Sequence, residues 1–217
     1  MTTLAAAPTR RKVARRTSRL YLVWLVVAGL VCVAIAAFAA SAYVTLDISQ
    51  SRPPVRGAWH YGLLVTHIFT GFVAVVTGIA QFVPWLRNRY PRVHRWTGRV
   101  YFAAVFPSAV FAFVVACLSL AGLASLAPLS LLAVLWFVSA VQGLRYARAR
   151  DFHAHRVWMI RNYAITAGAV TGRLWALALF AVFPNDLVTF ATANWLGLVL
   201  NLLVAEWWIQ RRHLSVR

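Results

Sequence analysis

The chain has 217 residues, 62% of them hydrophobic and only 12% charged, with a mean hydropathy of +0.71. A water-soluble fold is ruled out, because no interior of this size hides so much apolar surface from water. The formal charge is +18, from 22 Lys and Arg against four acids, Asp47, Asp151, Asp186 and Glu206. Those charges fall in the gaps between apolar runs, so the positive-inside rule and anionic lipid at the inner face account for them. With no aromatic-basic surface outside the membrane, nucleic acid is not an expected partner.

A basic tail with Arg10-Arg11-Lys12, Arg15-Arg16 and Arg19 leads into an apolar run from Leu20 to Val44. The run offers a small-residue cleavage site at Ala40-Ser41-Ala42. It exceeds the roughly 7–15 residues of a signal-peptide core, so an uncleaved first span is expected. A short polar loop follows, with Asp47, Arg52, Pro53-Pro54 and Arg56. The second run goes from Trp59 to Trp85, and the loop after it carries Arg87, Arg89, Arg92, His94, Arg95 and Arg99. A third run covers Val100 to Leu120, with Pro107 as an expected kink. After a turn from Gly122 to Pro128, the fourth runs from Leu129 to Leu144. Arg145, Arg148, Arg150, Asp151, His153, His155, Arg156 and Arg161 form a second basic loop. The fifth run reaches Phe183, Pro184-Asn185-Asp186 turns the chain, and the sixth covers Leu187 to Ile209 before Arg211-Arg212.

The pattern predicts an all-α fold: a polytopic membrane bundle of six transmembrane helices. Residues 1–19 read as a basic cytoplasmic tail, 20–210 as one membrane domain and 211–217 as a short basic cytoplasmic tail. Both termini are placed in the cytoplasm, because every long Arg cluster then lands on one side. Trp59, Trp85, Trp96, Trp158, Trp207 and Trp208 near the span ends match an aromatic belt. Cys32 and Cys117 stand alone in separate runs and read as small core residues.

Arg173 is the first sign of a site. A guanidinium within hydrocarbon costs roughly 2.5–3.5 kcal/mol on insertion scales, a cost accepted when the charge meets a partner inside the bundle. His60, His67, Gly71, Ala74, Gly78 and Gln81 share one stripe of the second run at helical spacing. His155, Asn162, Thr166, Ala169 and Arg173 share a face of the fifth. Such faces meet other helices or a cavity, and close packing through Gly and Ala is as good a reading as a ligand site. At 1.5 Å per residue, His67 lies about 12 Å and Arg173 about 15 Å below the same outer boundary. With Asn194 at a similar level, these residues are expected to surround one outer-half pocket lacking an acid.

The inner side carries a second pattern, His94-Arg95 before Arg99 and Tyr101, and His155-Arg156 before Arg161 and Tyr163. Each marks a helix start, where free N–H groups and arginines favour an anion, lipid head groups first among them. His94 and His155 are also candidate ligands for a b-type haem, whereas His67 lacks a histidine partner on the fourth run. A zinc or copper site from His94, His153 and His155 is not expected, since Cys is missing and Asp151 is the only nearby carboxylate. Catalytic residues are not identifiable, as no acid–base pair recurs at helical spacing.

Several of these residues in order, His67, Gly71, Gly78, Gln81-Phe82, Arg87, Pro91, His94-Arg95, Gly98-Arg99, Tyr101, His155-Arg156, Trp158-Met159, Arg161 and Arg173, carry a family resemblance. The chain resembles, over about Trp59 to Arg173, the bacterial predicted membrane protein family of unknown function. The resemblance implies a multi-pass protein of the bacterial inner membrane and brings no activity with it. It departs at Ala80, where family members carry a proline. Three functions stay open. The leading one is a redox or cofactor-binding protein holding haem b or a quinone, with His67, His94, Arg95, Arg99, His155, Arg156, Arg161 and Arg173 at the cofactor and Gln81, Asn162, Thr166 and Asn194 lining the pocket. The others are a small-solute carrier and an assembly or structural subunit, with a second copy or a membrane-complex protein as partner.

Overall fold

A computed structural model describes residues 19–51, 54–120, 122–183 and 186–212. The expectations placed on the tail before Arg19, on Arg52, Pro53 and the Pro184-Asn185 turn, and on the residues after Arg212 lie outside these segments. Among the described residues there are seven α-helices and no strand: α1 (Arg19–Ser41), α2 (Ala58–Gln81), α3 (Pro84–Arg89), α4 (Pro91–Leu118), α5 (Gly122–Arg148), α6 (Phe152–Phe180) and α7 (Asp186–Arg211). All but α3 are long and apolar enough to cross a membrane. Lipid offers the backbone no hydrogen-bond partner, so an apolar run closes its peptide bonds on itself as a helix. Short links make successive long helices antiparallel.

The helices outrun the apolar stretches that announce them. The third span begins at Pro91 instead of Val100, so Arg92, Arg95 and Arg99 lie on α4 itself. Proline suits a helix start, and arginines on the first turns reach the head groups with their stems along the helix. The expected Gly122–Pro128 turn is helical too, with Pro128 buried inside α5. Ending the helix there would strand its peptide groups near the bilayer, which outweighs the one bond proline forfeits. The second basic loop shrinks to three residues, Ala149 to Asp151. Arg150 takes φ 60°, and the Arg150 and Asp151 N–H groups close back on the carbonyls of Ala147 (3.2 Å) and Tyr146 (3.0 Å), a Schellman ending. Asp151 then caps α6 by accepting from the Ala154 N–H at 2.9 Å.

Most extensive packing is between α6 and α7 and between α2 and α4, with α5 joining α4, α6 and α7. Helix α1 rests at the edge on α2 and α6, and leaves Trp24, Leu30 and Phe38 exposed, the surface that lipid covers. The central core joins Ala74, Tyr101, Val105, Trp136, Ile165 and Leu198. Where α6 crosses α7, a Cβ on Gly197 would come within 2.7 Å of the Gly168 carbonyl oxygen and 2.9 Å of the Gly172 nitrogen. Backbone atoms cannot step aside, so glycine sets this approach.

A buried polar network ties three helices at mid-bundle. The Tyr101 hydroxyl on α4 donates to Asn162 Oδ1 at 2.5 Å and lies 3.0 Å from Thr166 Oγ1 on α6. Asn162 Nδ2 donates to the Trp136 carbonyl (2.9 Å) and to Ser139 Oγ (2.8 Å) on α5. Trp136 Nε1 closes the circuit on Thr166 Oγ1 at 2.9 Å. Every polar atom of Asn162 is thereby used, and a satisfied network of this kind specifies one packing.

Two predictions follow from this packing. Gly197→Ala is expected to push α6 from α7 and cost about 1–3 kcal/mol, whereas Gly62→Ala, whose Cβ meets nothing within 4 Å, leaves stability unchanged. Reversible unfolding in mixed micelles measures both, and equal midpoints would refute the backbone contact. In the same assay Tyr101→Phe costs about 1 kcal/mol and Asn162→Leu about 2 or more, because the latter strands partners on two helices; a neutral Asn162→Leu contradicts the network.

Candidate functional site

One cavity of about 300 Å³ lies in the half of the bundle opposite the arginine-rich ends. All six long helices wall it. Helix α1 gives Ala36 and Ala39, and the turn after it Tyr43; α2 gives Leu64, His67 and Phe72; α4 and α5 add Val115 and Trp136; α6 adds Thr166 and Arg173; α7 adds Phe190 and Asn194. The residues read from sequence as one outer-half group, His67, Arg173 and Asn194, thus share a wall. A larger hollow of about 430 Å³ between α1 and α3, lined by Leu22, Trp85 and Arg89, is an open surface dip with Trp85 itself exposed.

His67 is held through its Nδ1. That atom lies 3.0 Å from the Ser108 carbonyl oxygen and 3.0 Å from Ser108 Oγ, while the Ser108 hydroxyl donates to the His67 carbonyl at 3.0 Å. A carbonyl only accepts, so the contact assigns the proton to Nδ1 and leaves Nε2 with a lone pair. The ring meets Trp136 edge to face at 6.4 Å between centroids. Trp136 in turn binds Thr166, so the mid-bundle network ends on the cavity wall.

Among the described residues Arg173 makes a single hydrogen bond, from Nη1 to the Ala169 carbonyl of its own helix at 2.6 Å. Its side chain is exposed toward the cavity it lines, and lies within electrostatic range of His67 and Tyr43. No described carboxylate serves it: Asp47 holds Ser49, Asp151 caps α6 and Glu206 pairs with Arg161. Asn194 turns its Nδ2 onto the Phe190 carbonyl at 2.8 Å, leaving Oδ1 beside Gly172. A cavity with a cationic donor, an imidazole lone pair and apolar walls suits a molecule whose head accepts hydrogen bonds.

The other sequence-selected residues lie elsewhere. Asn162 is behind the cavity wall in the mid-bundle network. Gln81 sits at the arginine-rich end, donating to Thr97 Oγ1 at 2.7 Å across α2 and α4. His94 and His155 are there too, within electrostatic range of each other and absent from the cavity lining. His155 Nδ1 bonds the Gly143 carbonyl at 2.8 Å, whereas His94 Nδ1 is buried without a partner among the described residues. Arg161 forms an ion pair with Glu206 (2.5 Å and 3.0 Å) and covers the Trp158 ring at 4.9 Å. Arg99 stacks on Trp96 at 5.1 Å, and Arg95 and Arg156 are exposed. Sequence reasoning missed Tyr43, Ser108 and Trp136. Ser108, a hydroxyl beside Pro107 in an apolar run, was the one available signal; an aromatic in such a run announces nothing.

No curated protein and no solved structure matches the chain. A family model does, over residues 64–209, from within α2 to within α7 and so without α1. That segment holds both walls contributed by His67 and Arg173 and covers most of the bundle. The chain belongs to the predicted membrane protein family DUF2306.

Proposed function

We propose that the protein is a cofactor-binding protein of the bacterial inner membrane, with both termini in the cytoplasm and a quinone-like molecule held in the outer-half cavity. The observation that carries this reading is Arg173, a guanidinium at bilayer depth that shares a cavity with His67 and has no described carboxylate beside it. Such a charge is tolerable when a ligand oxygen completes its hydrogen bonds. Arg173 donates to a carbonyl oxygen, and the His67 Nε2 lone pair accepts from a hydroxyl. A quinone and its quinol present both kinds of oxygen on one ring. The mid-bundle network keeps Thr166 and Trp136 in place behind that ring.

A b-type haem between His94 and His155 is the second reading. It is favoured by the Gly143 carbonyl on His155 Nδ1, which leaves Nε2 for a metal as second-shell carbonyls do. Arg95, Arg99 and Arg156 stand at the same end for acidic groups.

Purified protein distinguishes the two. Solvent extraction is expected to release about one quinone per chain, falling about tenfold in Arg173→Ala, the loss of one charge-assisted hydrogen bond. A quinone-free wild type refutes the first reading. A reduced b-type band that vanishes in His155→Ala establishes the second, and a featureless spectrum removes it. For orientation, in a Cys32→Ala, Cys117→Ala background, Ser49→Cys should react with an impermeant thiol reagent in intact cells and Arg150→Cys only after permeabilisation; the reverse order overturns the topology.

A further inference from the structure

Two walls of the cavity, α1 and α7, meet without extensive packing between them. Among the described residues, helix α1 packs on α2 and α6 and makes no extended contact with α7, yet both line the cavity, α1 through Ala36 and Ala39, with Tyr43 just beyond its end, and α7 through Phe190 and Asn194. Between them runs the α6 face bearing Ala169 and Arg173, both exposed. On α1 the cavity is lined by two small side chains, Ala36 and Ala39, and the exposed side chains of the same helix are apolar. About 300 Å³ is at the lower end of small-molecule cavities, which run roughly 300–1,000 Å³. That is room for a head group and a short stem, and a long tail has to leave.

We infer that the cavity takes its ligand sideways from the bilayer: a single-tailed amphiphile whose carboxylate or carbonyl head meets Arg173 while its tail lies in the window between α1 and α7. This rests on the reading of the cavity as a ligand site. The chemistry is divided as such a molecule is. Arg173, His67 and Asn194 supply polar contacts at one level, and Leu64, Ile68 and Phe72 supply apolar wall. An acidic head also provides the counter-charge that no described carboxylate gives Arg173, and desolvating that pair away from water makes its attraction stronger. Because α1 stands at the bundle edge with its large side chains in lipid, widening the window disturbs neither the α6–α7 crossing nor the mid-bundle network.

Photolabelling in lipid nanodiscs tests this with two probes, a diazirine-bearing palmitic acid and a short, water-soluble diazirine carboxylate. The palmitate probe is expected to label the 36–43 and 190–194 segments above the lipid-facing residues Val134 and Val138 of α5. Arg173→Gln should cut that labelling about tenfold, as loss of a charge-assisted bond does. Arg173→Lys keeps part of it. Ala39→Trp, which fills the window and spares Arg173 and His67, should also cut it. Labelling spread evenly over lipid-facing helices, or unmoved by Ala39→Trp, overturns lateral entry. If the short probe then still labels the cavity and depends on Arg173, the ligand site stands and only its entry from lipid falls. If neither probe responds to Arg173, both fall. Protection of the window in a chain that cross-links as a dimer also overturns the inference, since a second copy then occupies that face.

Discussion

A bilayer offers no hydrogen-bond partner, and the protein's interior is arranged around that lack. Peptide groups close on one another within each helix, apart from the bonds forfeited at Pro107 and Pro128, and polar side chains at mid-depth meet one another: Tyr101, Asn162, Thr166, Trp136 and Ser139 form a closed circuit across α4, α5 and α6. Ser108 and His67 do the same between α4 and α2. Against that background Arg173 is conspicuous, because its only acceptor among the described residues is a carbonyl of its own helix. It lies on the cavity wall with guanidinium donors to spare beyond that one bond.

The two ends of the molecule differ for the same reason. At one end, arginines stand over tryptophan rings, Arg99 on Trp96, Arg161 on Trp158, Arg211 on Trp207 and Arg212 on Trp208, at 4.5–5.1 Å. These cations sit at a boundary where water, phosphate and aromatic faces all serve them. The other half has far fewer charges and contains the cavity. Charge is thus plentiful where solvation is cheap and single where it is costly.

Much of this was legible before any coordinates. Apolar length fixes the number of spanning helices, and the periodic placement of His67 and of Arg173 with Thr166 puts those residues on inward faces. Depth counting then brings Arg173 and His67 to one level, where the cavity lies. Boundaries were less legible, because arginine clusters look like loops in a sequence, although Arg92 to Arg99 and Arg156 to Arg161 are helical. Composition records the polarity of a side chain, whereas helix ends answer to backbone satisfaction. Partnership was the least legible part. Gln81 shares the stripe of His67 and yet finds Thr97 at the far end of the helix, since a stripe fixes direction around an axis and not which neighbour lies there. Trp136 was invisible as a polar residue, its one N–H hidden in an apolar run.

The junction of α5 and α6 shows how charge and backbone comfort trade against each other. Arg150 adopts φ 60°, a conformation that costs a residue bearing a Cβ about 1–2 kcal/mol and glycine almost nothing. A cation near an anionic leaflet recovers about 1 kcal/mol. Where such a tip faces anionic lipid the two quantities nearly cancel, and the positive charge then comes at little net expense to folding. Against a neutral lipid surface the same twist would go uncompensated, so the backbone at this tip ties the cost of the hairpin to the charge of the lipid it meets.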